Sequence, residues 1–203
     1  MKKTIVVNLK NKKSIDDAVN KLRSLKKNYP QMQREFMEFV CQWIIEQANR
    51  YIDNSDIGAS IKSDIQSKWE YVVNPDFSAK ITNNAEKAVF VEFGVGVVGQ
   101  MQPHPMANQD GYDYNRPSIY KYAGKHHDEN TWRFTKYSTA EVDLPTGSYE
   151  QYPMASGALK IITTGAKGTW YAYNAVVDAK TDLMNPNGQL ATEWNRILER
   201  YMI

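Results

Sequence analysis

Ala88-Val89-Phe90-Val91-Glu92-Phe93-Gly94-Val95-Gly96-Val97-Val98-Gly99 is the stretch on which the fold turns. Its glycines have the spacing of a dinucleotide-binding fingerprint, Gly94-x-Gly96-x-x-Gly99, behind an apolar run. That fingerprint needs a helix to open at its third glycine, because the pyrophosphate rests on the helix's N-terminal amides. The chain instead continues Gln100-Met101-Gln102-Pro103-His104-Pro105, and prolines at alternate positions exclude a regular helix there. No acidic residue follows on a second strand about 20 residues on, where a ribose would require it. The glycines therefore serve another purpose. Just upstream, Asn84 can cap a short helix in which Ala85, Ala88, Val89 and Phe93 share a face and Gly94 is the stop. Val89, Val91 and Phe93 fit a strand equally well, and periodicity leaves both open.

On the N-terminal side, Ile5, Val7 and Leu9 alternate as a short strand or extended arm. Ser14-x-x-Asp17 has the form of a capping box, followed by Ile15, Ala18, Val19, Leu22 and Leu25 at helical spacing. Asn28-Tyr29-Pro30 predicts a break, with Pro30 in the first turn of a second helix. There Met32, Phe36, Phe39, Val40, Trp43, Ile44, Tyr51 and Ile52 form a wide apolar stripe ending at Asp53-Asn54. Trp69, Tyr71 and Val73, then Phe77, Ala79 and Ile81, alternate about Asn74-Pro75-Asp76 and predict a β-hairpin.

On the C-terminal side the composition changes. Nine of the 24 aromatic residues fall between 101 and 153, among them Tyr112, Tyr114, Tyr120, Tyr122, Trp132 and Phe134. So many aromatics disfavour disorder and suit a contact loop, since Tyr and Trp give large contact area at low entropic cost. Trp132–Phe134 and Leu159–Thr163 read as strands within it. Tyr173–Leu183 reads as a helix, Asn185-Pro186-Asn187-Gly188 as a break, and Leu190, Trp194, Ile197, Leu198 and Tyr201 as a final amphipathic helix. The expected class is α+β: long amphipathic helices on a small, mostly antiparallel sheet. The expected organisation is one domain over residues 1–203 with an aromatic-rich interaction insertion at about 100–164.

Formal charge is +2, which gives no strong pull to nucleic acid or membrane. The distribution is uneven. Residues 1–30 hold nine Lys and Arg against Asp16 and Asp17, a surplus of seven, so the remainder carries −5. That basic stretch reads as a solvated helix face or as a dock for an acidic neighbour or DNA. Cys41 is the only cysteine, which rules out an intrachain disulfide, and its apolar helix marks it as packing. No apolar run approaches the ~18 residues of a membrane span.

Candidate chemistry is sparse. His104, His126 and His127 are the only histidines, and loop histidines of this kind are commonly exposed. Asp128-Glu129 beside His126-His127 supplies donors for a loose metal site, without the spacing of a zinc centre. There is no Gly-x-Ser-x-Gly elbow and no Walker loop. Glu92 amid apolar residues invites a catalytic reading; a polar edge on a short helix, or an ion pair, is the simpler one. Trp132-x-Phe134 with Arg133 and Lys136 has the elements of a base-stacking platform, in surroundings not basic enough to favour it.

At Asn83-Asn84-Ala85-Glu86-Lys87-Ala88-Val89-Phe90-Val91-Glu92-Phe93-Gly94-Val95-Gly96 the chain resembles the small head–tail connector, or tail-completion (neck), proteins of long-tailed bacteriophages. Gly168-Thr169-Trp170-Tyr171-Ala172-Tyr173-Asn174 is similar to their glycine-led turn into an aromatic motif and C-terminal helix. Lys87, Val95 and Thr169 or Trp170 depart from the usual aromatic, threonine and proline of that pattern. The resemblance implies a non-enzymatic virion part without cofactor or metal, assembled in the host cytoplasm into a homo-oligomeric ring at the phage neck. Implied partners are other copies of itself, neighbouring neck, connector and tail-terminator proteins, and DNA in the channel, with no membrane. The implied contact residues are Val91, Glu92, Phe93, Gly94, Gly96, Tyr112, Tyr114, Tyr120, Tyr122, Trp132, Phe134, Trp170 and Tyr173. The alternative is a nucleic-acid-binding module built from the basic first 30 residues and the tyrosine-rich insert.

Overall fold

The structure, a computed structural model, describes residues 8, 10–95, 101–111, 132–136, 149–153, 159–163 and 165–202. Helix α1 spans Lys12–Asp53 and α2 Ala59–Gln66. Strands β1 (Trp69–Val73) and β2 (Ala79–Asn83) form a two-stranded sheet. Helix α3 (Ala88–Phe93) leads into β3 (Gly94–Val95), and a short helix α4 covers Ala107–Asp110. Then come β4 (Trp132–Lys136), β5 (Tyr149–Pro153), β6 (Leu159–Thr163) and β7 (Gly165–Lys167). Helices α5 (Tyr171–Met184) and α6 (Gln189–Tyr201) close the chain. The class is α+β, mostly helical with small antiparallel sheets.

The chain divides into two compact units. The first holds Met1–Glu46, Tyr71–Thr82 and Ala175–Ile203; the second holds Gln47–Glu70 and Asn83–Asn174.

In the first unit, α1 runs unbroken through Pro30, contrary to the expected pair of helices. A proline inside a helix costs about 3 kcal/mol or more through its missing N–H and its clash with the carbonyl four residues back. The same helical face is apolar on both sides of it. Ala18 and Met32 are buried and Leu25 half-buried, seven residues apart, with Phe36 and Val40 continuing the row. A break would turn one half of that row away from the core. The start of α1 also differs from the expected capping box. Asn11 Oδ1 accepts the Ser14 N–H (3.3 Å), while Ser14 Oγ accepts the Asn8 N–H (2.9 Å). Asn11 is therefore the cap, placed three residues before the last orphan amide.

The core of this unit joins Val40 and Trp43 of α1 to Ala179 of α5 and Leu190 of α6, with Phe36, Phe39 and Ile44 packed against it. Phe36 and Trp194 tilt against each other at 5.1 Å. Cys41 is buried, as its apolar helix implied, and burial raises its thiol pKa, with the nearby Glu38 carboxylate adding to the effect. The hairpin turn departs from expectation at Phe77. It sits in the turn at φ +63° rather than opening β2, its N–H donating to the Asn74 carbonyl (3.0 Å). Trp69, Tyr71 and Val73 do share the covered face of β1.

The sharp joint between α5 and α6 has a defined cause. Asp182 reaches forward from α5, its two oxygens accepting the N–H groups of Gln189 (3.1 Å) and Leu190 (2.7 Å). Those are first-turn amides of α6 with no intrahelical partner, and a carboxylate there also meets the positive end of the helix dipole. Gly188 makes room: a Cβ at that position would run into the Asp182 carbonyl oxygen and lie 2.7 Å from Asp182 Oδ2. Asp182→Ala is expected to cost ~1–2 kcal/mol, the usual loss on removing a helix cap. A urea titration followed by circular dichroism would read it, and an unchanged midpoint would contradict the capping role.

In the second unit, residues 59–66 form a further helix, absent from the elements expected above; Ile61 and Ile65 are its buried residues, with Ile57 buried just before it. Asn49 Oδ1 accepts the Trp69 indole N–H (2.9 Å), and Asn83 Nδ2 donates to the Ile65 carbonyl (2.7 Å). Asn83 also takes the Ala85 N–H on its Oδ1 (3.0 Å), so it, and not Asn84, shapes the entry to α3. Strands β4 and β5 flank β6 antiparallel, with Phe134 opposite Ile161 and Gln151 opposite Ile161 on the other side. Two of these strands lie where the sequence placed them; β5 is additional. All three belong to the segment expected as an insertion.

Candidate functional site

The site is built where α3 ends. Ala88, Phe90 and Val91 are buried, which fixes the helix against its unit and leaves Val89 outside at 48% exposure. The ambiguity between helix and strand resolves as a helix to Phe93. Gly94 ends it at φ +83°, a conformation glycine adopts without the Cβ penalty. After that turn β3 pairs antiparallel with β7, Gly94 opposite Lys167 and Val95 opposite Ala166. A helix therefore precedes Gly94, where a dinucleotide fingerprint requires a strand.

The chain leaving β7 crosses the end of α3 at backbone contact. Thr169 donates its N–H (2.8 Å) and its hydroxyl (2.9 Å) to the Val91 carbonyl, and the Trp170 N–H donates to the Glu92 carbonyl (3.2 Å). A Cβ on Gly168 would overlap the Glu92 carbonyl oxygen and lie 2.6 Å from the Phe93 carbonyl carbon. Only glycine permits that approach. Trp170 then adopts φ +53°, an uncommon conformation for a bulky residue, and delivers the chain into α5.

Glu92 is the centre of this arrangement. It is only 7% exposed. Its Oε2 accepts the Ala172 N–H (2.9 Å), and its Oε1 accepts the Tyr173 N–H (3.0 Å) and faces His104 Nε2 at 2.9 Å. The carboxylate thus caps the N-terminus of α5 from 80 residues away, using two orphan amides and the favourable end of the helix dipole. This goes beyond both simple expectations for Glu92, a polar edge or an ordinary ion pair.

His104 corrects the expectation of an exposed loop histidine: it is 5% exposed. Its ring lies between Phe93 (centroids 4.2 Å apart), Tyr173 (5.3 Å) and Trp170 (6.0 Å). The Met106 N–H donates to Nδ1 (3.0 Å), so that nitrogen carries the lone pair. The proton of the neutral ring is then on Nε2, which donates it to Glu92, an assignment made from the hydrogen-bond network. The backbone turn closed by the Ala107 N–H on the His104 carbonyl (3.0 Å) holds the ring in place.

Tyr171 completes the layer. Its hydroxyl donates to the Ala88 carbonyl (3.2 Å), and its ring stands edge-on to Trp69 at 5.9 Å. Burial, reinforced by the Glu92 charge, pushes its phenol well above the usual tyrosine range. The folded chain therefore holds this proton more tightly than the unfolded chain. Stability from that source is present below pH ~10, the unfolded tyrosine value, and declines as pH rises beyond it, at up to ~1.4 kcal/mol per pH unit. Tyr171→Phe is expected to remove this part of the alkaline loss of stability, seen by comparing urea midpoints of the two chains between pH 8 and 11. Parallel pH curves for the two chains would contradict it.

The arrangement brings together Val91, Glu92, Phe93, Gly94, Trp170 and Tyr173 from the expected contact residues. Val91, Glu92 and Gly94 are buried within their own chain; Phe93, Trp170 and Tyr173 are partly exposed. Trp132 and Phe134 lie on β4, whose backbone alone is described. Gly96, Tyr112, Tyr114, Tyr120, Tyr122, His126 and His127 lie outside the described residues, as does the expected N-terminal strand. Among the described residues there is no cluster of three His, Cys, Asp or Glu side chains fit to hold a metal. Nor, among them, is any helix long and apolar enough to cross a membrane. Chemically, the site locks and caps. Every Glu92 oxygen is engaged by a donor, and the histidine is sealed by three rings.

Comparison of the chain with protein-family models, with curated proteins and with solved structures gave no match.

Proposed function

We propose that the chain is a non-enzymatic structural protein of the bacteriophage neck, a tail-completion or head–tail joining component that assembles as a homo-oligomeric ring in the virion. One observation carries most of the reading. The two sequence motifs that resemble neck proteins, 83–96 and 168–174, are far apart in the chain yet meet through Gly168 against Glu92 and Phe93, Thr169 and Val91, and Glu92 and the Ala172 and Tyr173 amides. A motif pair that builds one rigid corner is what a repeated assembly needs beneath its contact surfaces. The partly exposed Phe93, Trp170 and Tyr173, together with the aromatic insertion, supply those surfaces in this reading. Closed rings use head-to-tail contacts between unlike faces of one chain.

Deleting the gene from a phage that carries it should leave filled heads and finished tails that do not join. Infectious particles at the normal yield would refute the reading.

A nucleic-acid-binding role draws support from one feature. Lys12, Lys13, Lys21, Arg23, Lys26 and Lys27 are all exposed along α1. It predicts DNA affinity that falls steeply with salt. Absence of binding at low salt would remove it.

A further inference from the structure

We infer that an acidic, aromatic-floored groove on the first unit receives the basic N-terminal segment, residues 1–7, of a second copy of the chain. This deepens the self-assembly part of the function proposed above and rests on it. The groove, about 470 Å³, lies between α1 and α6. Its floor is Phe39 and Trp43, and the Trp43 indole is pinned by its N–H donating to Gln189 Oε1 at 2.7 Å. Glu46 from α1 and Glu193 from α6 line the same groove. Glu193 is only 13% exposed and holds Arg196 through both oxygens, whereas Glu46 is exposed, and although it has a partner, a carboxylate oxygen accepts more than one donor.

The N-terminal segment has complementary chemistry. Lys2 and Lys3 precede Ile5, Val6 and Val7, and no acidic residue occurs before Asp16. Bound in extended form, the segment would set Lys3, Ile5 and Val7 on one face, which offers apolar groups to the aromatic floor and an ammonium group to Glu46.

Reach decides whose segment it is. The Asn8 N–H is tied to Ser14 Oγ at the start of α1. Lys2 lies six residues before Asn8 and so reaches at most about 20 Å from it. Phe39 lies 27 residues along α1 from Lys12, about 40 Å of helix. The chain's own lysines cannot span that distance, whereas a neighbour's can, and a contact between unlike faces is the kind that propagates around a ring.

The test is a charge swap in the full-length chain, read by sedimentation velocity. Lys2→Glu with Lys3→Glu should weaken self-association about tenfold, and Glu46→Lys should do the same, the scale of a close interfacial charge pair. Combining all three changes should restore it. A fluorescein-labelled peptide of residues 1–13 should bind the wild-type chain and bind the Glu46→Lys chain about tenfold more weakly. Circular dichroism checks that each variant is folded. Unchanged association in the single-site variants, or additive weakening in the combined one, would overturn the inference. So would loss of DNA binding alone in the lysine variant. A chain that assembles but ignores these changes leaves the neck reading standing and removes this contact; a chain that is monomeric at every concentration removes both.

Discussion

Glu92→Ala should lower stability by ~3–5 kcal/mol, because it removes the acceptor shared by three donors, at about 1–3 kcal/mol for each buried donor that loses its acceptor. The substitution removes the acceptor of the Ala172 and Tyr173 amides at the start of α5 and the carboxylate that faces His104 Nε2. A domain's whole stability is about 5–15 kcal/mol, so this is a large share of it. At this chain length it corresponds to a fall in melting temperature of roughly 10 °C. Glu92→Gln keeps the shape and one acceptor oxygen, but sets an amide N–H₂ against one of its donors. It should fall between wild type and alanine. His104→Ala removes one donor and leaves the helix cap intact, so it should cost less than Glu92→Ala. Thermal melts by circular dichroism give the order directly. A Glu92→Ala chain melting within 2 °C of wild type (roughly 1 kcal/mol at this length) would mean that the carboxylate does not hold the corner together.

Gly168→Ala is the second large effect. The new methyl meets the Glu92 carbonyl oxygen and the Phe93 carbonyl, its oxygen 2.8 Å away. These are backbone atoms, which cannot swing aside as a side-chain tip can. The segment after β7 must retreat, weakening the hydrogen bonds from the Thr169 and Trp170 amides to the Val91 and Glu92 carbonyls. We expect about 3 kcal/mol, the upper end for overpacking a closed site. Gly111→Ala is the control. Its added Cβ would meet nothing within 4 Å, but its φ of +62° strains any L side chain, so the cost should be only ~1–2 kcal/mol. Urea midpoints for the two variants separate a steric cause from a conformational one. Equal losses would show that close approach at Gly168 is unimportant.

The readable parts of the chain were those where a local pattern has a single physical solution. The row from Phe36 to Ile52, the hairpin about Asn74-Pro75-Asp76 and the final amphipathic helix each repeat at one period. Gly94 as a stop follows from the same local logic. Pro30 misled because its local cost is outweighed by burial on both sides, a tertiary effect that propensity does not contain. Helix α2 did carry a signal, Ile57, Ile61 and Ile65 at fourfold spacing, although over only eight helical residues.

At the site, Glu92 stood out in sequence as a lone acid in an apolar run. Its partners did not, since they lie 12, 80 and 81 residues away. His104 between two prolines resembles an exposed loop residue, and only packing against Phe93, Trp170 and Tyr173 shows otherwise. Asp182 is similar: a cap normally sits next to its helix, and this one acts from seven and eight residues upstream across a turn.

The most direct test of the neck assignment is to locate the chain in finished particles. Immunogold electron microscopy of purified virions, with an epitope tag on the chain, should place the label at the junction of head and tail and nowhere else. Label absent from particles and recovered only in the soluble lysate would contradict a structural role in the virion.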